Sequence, residues 1–269
     1  MTNRIDATLS RLRAARRTAL VPFVTVGYPD VDSSEAIARA IVESGGDMLE
    51  LGVPFSDALA DGPTIQRTSF RALQQGVNLS TCLALLGRLR QGGVQAPILF
   101  MGYYNPFRHY GLERFVQEAA GAGLDGLIVP DLPMEEAGAF KPCCEKNGIW
   151  LVPLLAPTST EVRIAQACRD AKGFIYCVSL TGVTGARSEL ATGVRGLVER
   201  IRKHTDLPVL VGFGVSRREH VEAIGRYADG AAVGSALLDA VGAVSVERAA
   251  QTAGEFVRRL KGGSLEPIQ

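Results

Sequence analysis

The sequence predicts an α/β fold, a (β/α)8 TIM barrel with an extra N-terminal helix and an extra helix after strand 2. Three observations predict it. Eight short apolar runs recur along the chain, each continuous rather than alternating, as expected of parallel strands buried on both faces. Amphipathic segments of helical period lie between them. The length of 269 residues fits the roughly 250 typical of such a barrel, and no linker-like stretch divides it, so one domain is expected over 1–269.

The first run is Leu20–Val26, preceded by a segment from Arg4 to Arg17 that reads as the extra helix. A helix follows, in which Ile37, Ile41 and Val42 share a face and Asp32-Ser-Ser-Glu35 reads as a capping box. The second run, Met48–Val53, is entered through Gly45-Gly46, and two helical stretches fill 64–92 after it. Ile98–Tyr103 and Gly126–Val129 are the third and fourth, with Ala122-Gly123 closing the helix between them. Ile149–Leu155 is the fifth. Thr158-Ser-Thr-Glu161 reads as a second capping box, opening a helix that buries Val162, Ile164, Ala165 and Cys168. Phe174–Val178 precedes a helix with Leu197, Val198 and Ile201 on its inner face, and Val209–Phe213 and Gly230–Gly234 complete the ring.

Composition narrows the function. The net charge of +1 gives no global field for nucleic acid or an anionic membrane, so an anion must be held locally. The five cysteines are odd in number and contain no CxxC, which favours reduced thiols in a cytoplasmic protein over a disulfide framework or zinc site. No run of about 18 apolar residues suggests a membrane span, and the N-terminus lacks a signal-peptide pattern.

Barrel active sites lie at the C-terminal ends of the strands. Glu50 sits there inside an apolar run, where a carboxylate is costly unless it is paired or functional. It is either a catalytic group or a structural carboxylate bound to backbone amides. Asp61, in Asp-Gly-Pro before a helix, is a turn-former and cap, or the partner that gives Glu50 a distinct acid–base role. Glycines gather at the ends of the last two strands, Gly212-Phe213-Gly214 and Gly234-Ser235, where barrels hold phosphate; the bland reading is relief of crowding. Gly182–Gly185 suits a mobile lid within 179–193.

None of the five lysines falls at a strand end, which argues against Schiff-base and pyridoxal chemistry. The three histidines are scattered through segments that read as loops and helices, so no metal site is expected. Acid–base chemistry on a small phosphate ester remains, with Phe23, Phe55, Tyr103, Tyr176 and Phe213 supplying apolar walls.

The run Leu49–Gln66 closely resembles the signature of the tryptophan synthase alpha chain family. The likeness extends through Pro22–Thr25, Val129–Pro133, Gly182–Ala186 and Gly212–Ser216 to essentially the whole chain. The resemblance implies retro-aldol cleavage of indole-3-glycerol phosphate to indole and glyceraldehyde 3-phosphate, in tryptophan biosynthesis. It implies catalytic roles for Glu50, Asp61 and Tyr176, indole contacts for Phe23 and Tyr103, and a lid contact for Thr184. It places the phosphate on Gly185, Phe213, Gly214, Gly234 and Ser235, with Gly212 beside them as a further substrate-binding residue. It implies no cofactor in this chain and a beta-chain partner carrying pyridoxal phosphate in an α2β2 complex. A related phosphate-binding isomerase, or a subunit that chiefly activates its partner, are the competing readings. Ala58 departs from the proline many members carry, which frees a backbone φ in the Asp61 loop.

Overall fold

The computed structural model describes residues 3–178, 187–212 and 214–262, with the side chains of 187–192 left aside. Among the described residues nine strands form one parallel sheet. They are β1 Ala19–Thr25, β2 Leu49–Gly52, β3 Ile98–Met101, β4 Gly126–Ile128 and β5 Trp150–Val152. Then come β6 Leu154–Leu155, β7 Ile175–Val178, β8 Val209–Gly212 and β9 Gly230–Val233.

The order is β5-β4-β3-β2-β1-β9-β8-β7-β6. One expected strand is two. Pro153 has no N–H to donate, so it interrupts the fifth run. The first half pairs with β4 and the second with β7, and Pro153 itself accepts from the Tyr176 N–H. That single run therefore joins the two edges and rounds the sheet into a barrel.

Alternation along the strands sorts the core into two layers. Ala19, Val21, Met48, Leu99, Ile128, Val152, Tyr176, Leu210 and Ala232 point inward and fill the barrel. Leu49, Leu51, Ile98, Phe100, Ile175, Cys177, Val209 and Val211 point outward under the helices. The extra N-terminal helix, Arg4–Ala14, inserts Ile5, Leu9 and Leu12 into the inner layer and plugs the N-terminal end of the barrel. Both expected stretches within 64–92 are helical, Pro63–Gln74 and Leu79–Gln91. Two further strands are also followed by helix pairs, 104–110 with 112–122 and 235–242 with 246–261.

Both capping boxes move. Helix Val31–Glu43 is capped by Asp30, whose carboxylate accepts from the Ser33 N–H, so Asp32 falls inside the first turn. Helix Glu161–Arg169 is capped by Thr160, and the reciprocal box occurs instead at Asn78 with Thr81. Val162 is 76% exposed: the buried set Ile164, Ala167 and Cys168 lies on the face opposite to it.

The N-terminal end of the barrel is held by one device used three times. Asp47, Asp125 and Asp229 each stand just before a strand. Each accepts, through its carboxylate, the N–H that opens the preceding strand region (Leu20, Ile98 and Val209, each at 2.8 Å). Each also donates its own N–H to the carbonyl of that same residue. Every one is paired with cations: Asp47 with Lys261, Asp125 with Arg4 and Arg90, Asp229 with Arg13 and Arg202.

Candidate active site

At the opposite end lies a cleft of about 1680 Å³, the mouth of the barrel. Glu50 is on the inward face of β2, two residues beyond Met48, with Phe23 of β1 and Leu99 of β3 beside it in register. It is 1% exposed. Oε2 accepts from the Tyr176 hydroxyl at 3.5 Å, a long contact, and Oε1 has no partner among the described residues. Burial without a cation raises its pKa to about 8, and the Tyr176 hydrogen bond offsets this only in part. Glu50 is therefore a carboxylic acid at neutral pH.

Two glycines make room for these neighbours. A side chain at Gly212 would meet the Tyr176 hydroxyl at 2.3 Å, and one at Gly52 would meet the Phe23 ring at 2.4 Å. Packing alone thus explains Gly212, whose empty α-carbon lets the Tyr176 phenol reach toward Glu50. At Gly214 φ is +58°, in the left-handed region glycine favours.

Asp61 lies in the loop between β2 and helix Pro63–Gln74, which begins with Gly62 at the cap and Pro63 at the first helical position. A 2.7 Å hydroxyl contact between buried Thr25 and Thr68 fixes that helix against β1. Partial burial raises the Asp61 pKa to about 6, and the Tyr103 hydroxyl works against the rise. Asp61 is mostly ionised at pH 7. The two carboxylates at the mouth thus differ in protonation state at that pH, one an acid and the other an acceptor.

Phe23, Glu50, Asp61, Tyr176, Gly212, Gly214, Gly234 and Ser235 all line the cleft. Ser235 opens helix Ser235–Gly242 with Gly234 as its cap, so first-turn N–H groups face the cavity rim. Tyr103 is placed differently. It is buried beneath the Asp61 loop, stacked obliquely with Phe55, and its hydroxyl accepts from the Ala60 N–H at 2.9 Å. Thr184, Gly185, Phe213 and most of the 179–193 lid lie outside the described residues.

Sequence reasoning missed Met101, Ile128, Leu154 and Val178, which the inward register of their strands would have assigned to the cleft. It also missed His220, which lies on the rim and accepts the Ser216 N–H through Nδ1 at 3.3 Å. Among the described residues no lysine lines the cleft and no three His, Cys, Asp or Glu side chains gather as metal ligands.

A barrel whose mouth joins a neutral carboxylic acid, an ionised carboxylate and a glycine-lined helix terminus offers the groups that acid–base chemistry on an anionic substrate requires. The comparisons make that chemistry specific. Residues 9–263 match the family model described as tryptophan synthase alpha chain, and the chain belongs to that family. It is 53% identical over 260 residues to the tryptophan synthase alpha chain of Roseiflexus castenholzii, covering 97% of this chain and 100% of the relative. It is 42% identical over 269 residues to the tryptophan synthase of Saccharomyces cerevisiae, of which it spans 38%. The crystal structure of tryptophan synthase subunit alpha from Legionella pneumophila superposes with a TM-score of 0.89 at 33% identity, covering 97% of this chain and 98% of that one.

Proposed function

We propose that Glu50 and Asp61 divide the work of a retro-aldol cleavage between them. The chain is a carbon–carbon lyase of tryptophan biosynthesis that cleaves indole-3-glycerol phosphate. Glu50, protonated at neutral pH, delivers its proton to the indole ring carbon that bears the glycerol chain. Asp61 accepts the indole N–H and stabilises the positive charge that the ring acquires. The Glu50 carboxylate then takes the proton of the adjacent glycerol hydroxyl. The C–C bond breaks, its electron pair restores the indole, and the oxygen becomes the aldehyde of glyceraldehyde 3-phosphate. One proton enters at carbon and one leaves oxygen, so Glu50 finishes as it began.

The observation that carries this reading is the buried Glu50 carboxyl in the lining of the barrel mouth, with no cation and no partner for Oε1 among the described residues. Tyr176 holds the other oxygen. Phe23 forms one wall, and Gly214, Gly234, Ser235 and neighbouring backbone amides receive the phosphate, with Thr184, Gly185 and Phe213 assigned by resemblance. A single barrel domain over 1–269 would carry the whole site. The reaction needs no cofactor here, and pyridoxal phosphate belongs to a beta-chain partner in a cytoplasmic α2β2 assembly. No described helix is long and apolar enough to cross a membrane.

The test is Glu50→Gln. Indole release should fall by about 10²–10⁴-fold while the phosphate ester still binds. Full activity in the folded variant would remove Glu50 from its role.

A further inference from the structure

The loop that carries Asp61 has few bonds of its own. Asp61 donates to the Ala58 carbonyl at 3.2 Å and Leu59 donates to Asp57 at 2.8 Å, while the Leu59 side chain is 91% exposed. Such a loop needs an external brace to hold a carboxylate within the tolerance that charge stabilisation demands. Two side chains supply it. Tyr103 takes the Ala60 N–H from below. Gln66, in the first turn of helix Pro63–Gln74, reaches back and donates from Nε2 to the Ala58 and Asp61 carbonyls, each at 3.0 Å. Its own N–H is already committed to the Gly62 carbonyl, so the brace is anchored in helix.

We propose that Gln66 is the positioning residue of this site: its carboxamide locks the two ends of the 58–61 turn and so sets where the Asp61 carboxylate meets the substrate. Both carbonyls are gripped through one nitrogen, which makes the brace bidentate. It also bears on Ala58. There the backbone φ is not fixed by a ring, and the Ala58 carbonyl is held by a side chain instead. The inference rests on the reading of Asp61 as the group that holds the indole nitrogen.

Gln66→Met keeps the length and removes the donors; Gln66→Glu keeps the length and presents only acceptors. For both, kcat for indole-3-glycerol phosphate should fall about 10- to 100-fold with KM within a few-fold. A loosened loop lets water reach Asp61, so the acid limb of the kcat/KM profile should move from near 6 toward the ordinary carboxylate range. Thermal midpoints should change by no more than about 2–4 °C. Unchanged kcat, or a lower kcat with the acid limb unmoved, overturns the role of Gln66. Asp61→Asn, measured alongside, separates the two claims. If it is inactive while Gln66→Met is normal, only the brace fails; if it is fully active, the reading of Asp61 fails first.

Discussion

The two ends of this barrel treat carboxylates in opposite ways. At the N-terminal end, Asp47, Asp125 and Asp229 each receive a backbone N–H and at least one Lys or Arg. At the C-terminal end, Glu50 is buried as deeply as Asp125 and more deeply than Asp47 or Asp229, and among the described residues its side chain has one long contact, to a phenol. Charge in a low-dielectric site is tolerable when it is paired and hydrogen-bonded, and otherwise the group neutralises. The closed end therefore pairs its carboxylates with cations and backbone amides and uses them to fasten strands. The open end holds Glu50 as a neutral acid, which is unhelpful for stability and useful for moving protons. Stability and reactivity are properties of different ends of the same strands.

The contrast is sharpened first at its strongest bond. Asp125 is 3% exposed, and Arg90 donates to it while also capping the Gly123, Val94 and Ala96 carbonyls. Asp125→Asn leaves two arginines facing a neutral amide and should cost about 3–5 kcal/mol of unfolding free energy. Indole release per folded molecule should change little. A large loss of kcat in a fully folded Asp125→Asn chain would break the separation between the two ends.

A milder version of the same test is Lys261→Met. Lys261 ends the last long helix and pairs with Asp47 Oδ2, the same oxygen that accepts the Leu20 N–H. The pair is largely but not fully removed from water, so a loss of about 1–2 kcal/mol is expected, measurable by chemical denaturation. No change would mean that the backbone N–H alone suffices there.

Much of the fold was legible because parallel strands are buried on both faces and so read as unbroken apolar runs. Pro153 shows where that reading stops: within an apolar run its missing N–H is invisible to periodicity, yet it divides one strand into two. The misplaced caps at Asp32 and Thr158 arise because several Ser, Thr and Asp residues stand together, and only the backbone decides which of them caps. Glu50 was legible as a carboxylate in an apolar run. The meaning of Gly212 was not, since its reason is the Tyr176 ring from another strand. Gln66 was silent as well, because a glutamine in a helix says nothing of which carbonyls it faces. The three closing aspartates carried a readable signal, an acidic residue placed just before a strand in Asp47-Met48, Asp125-Gly126 and Asp229-Gly230.

The most direct test of the central claim is the unfolding free energy of the wild type and Glu50→Gln from pH 5 to 9. The Glu50 pKa is raised on folding from 4.5 to about 8. Stability tied to its protonated form is therefore full below 4.5 and is lost as pH rises through 8, whereas glutamine does not titrate. The variant should gain on the wild type steadily across pH 5–8, by on the order of a few kcal/mol, and the difference should level off above 8. A difference that stays flat over this range would mean that Glu50 is already ionised at pH 5, and would contradict the account.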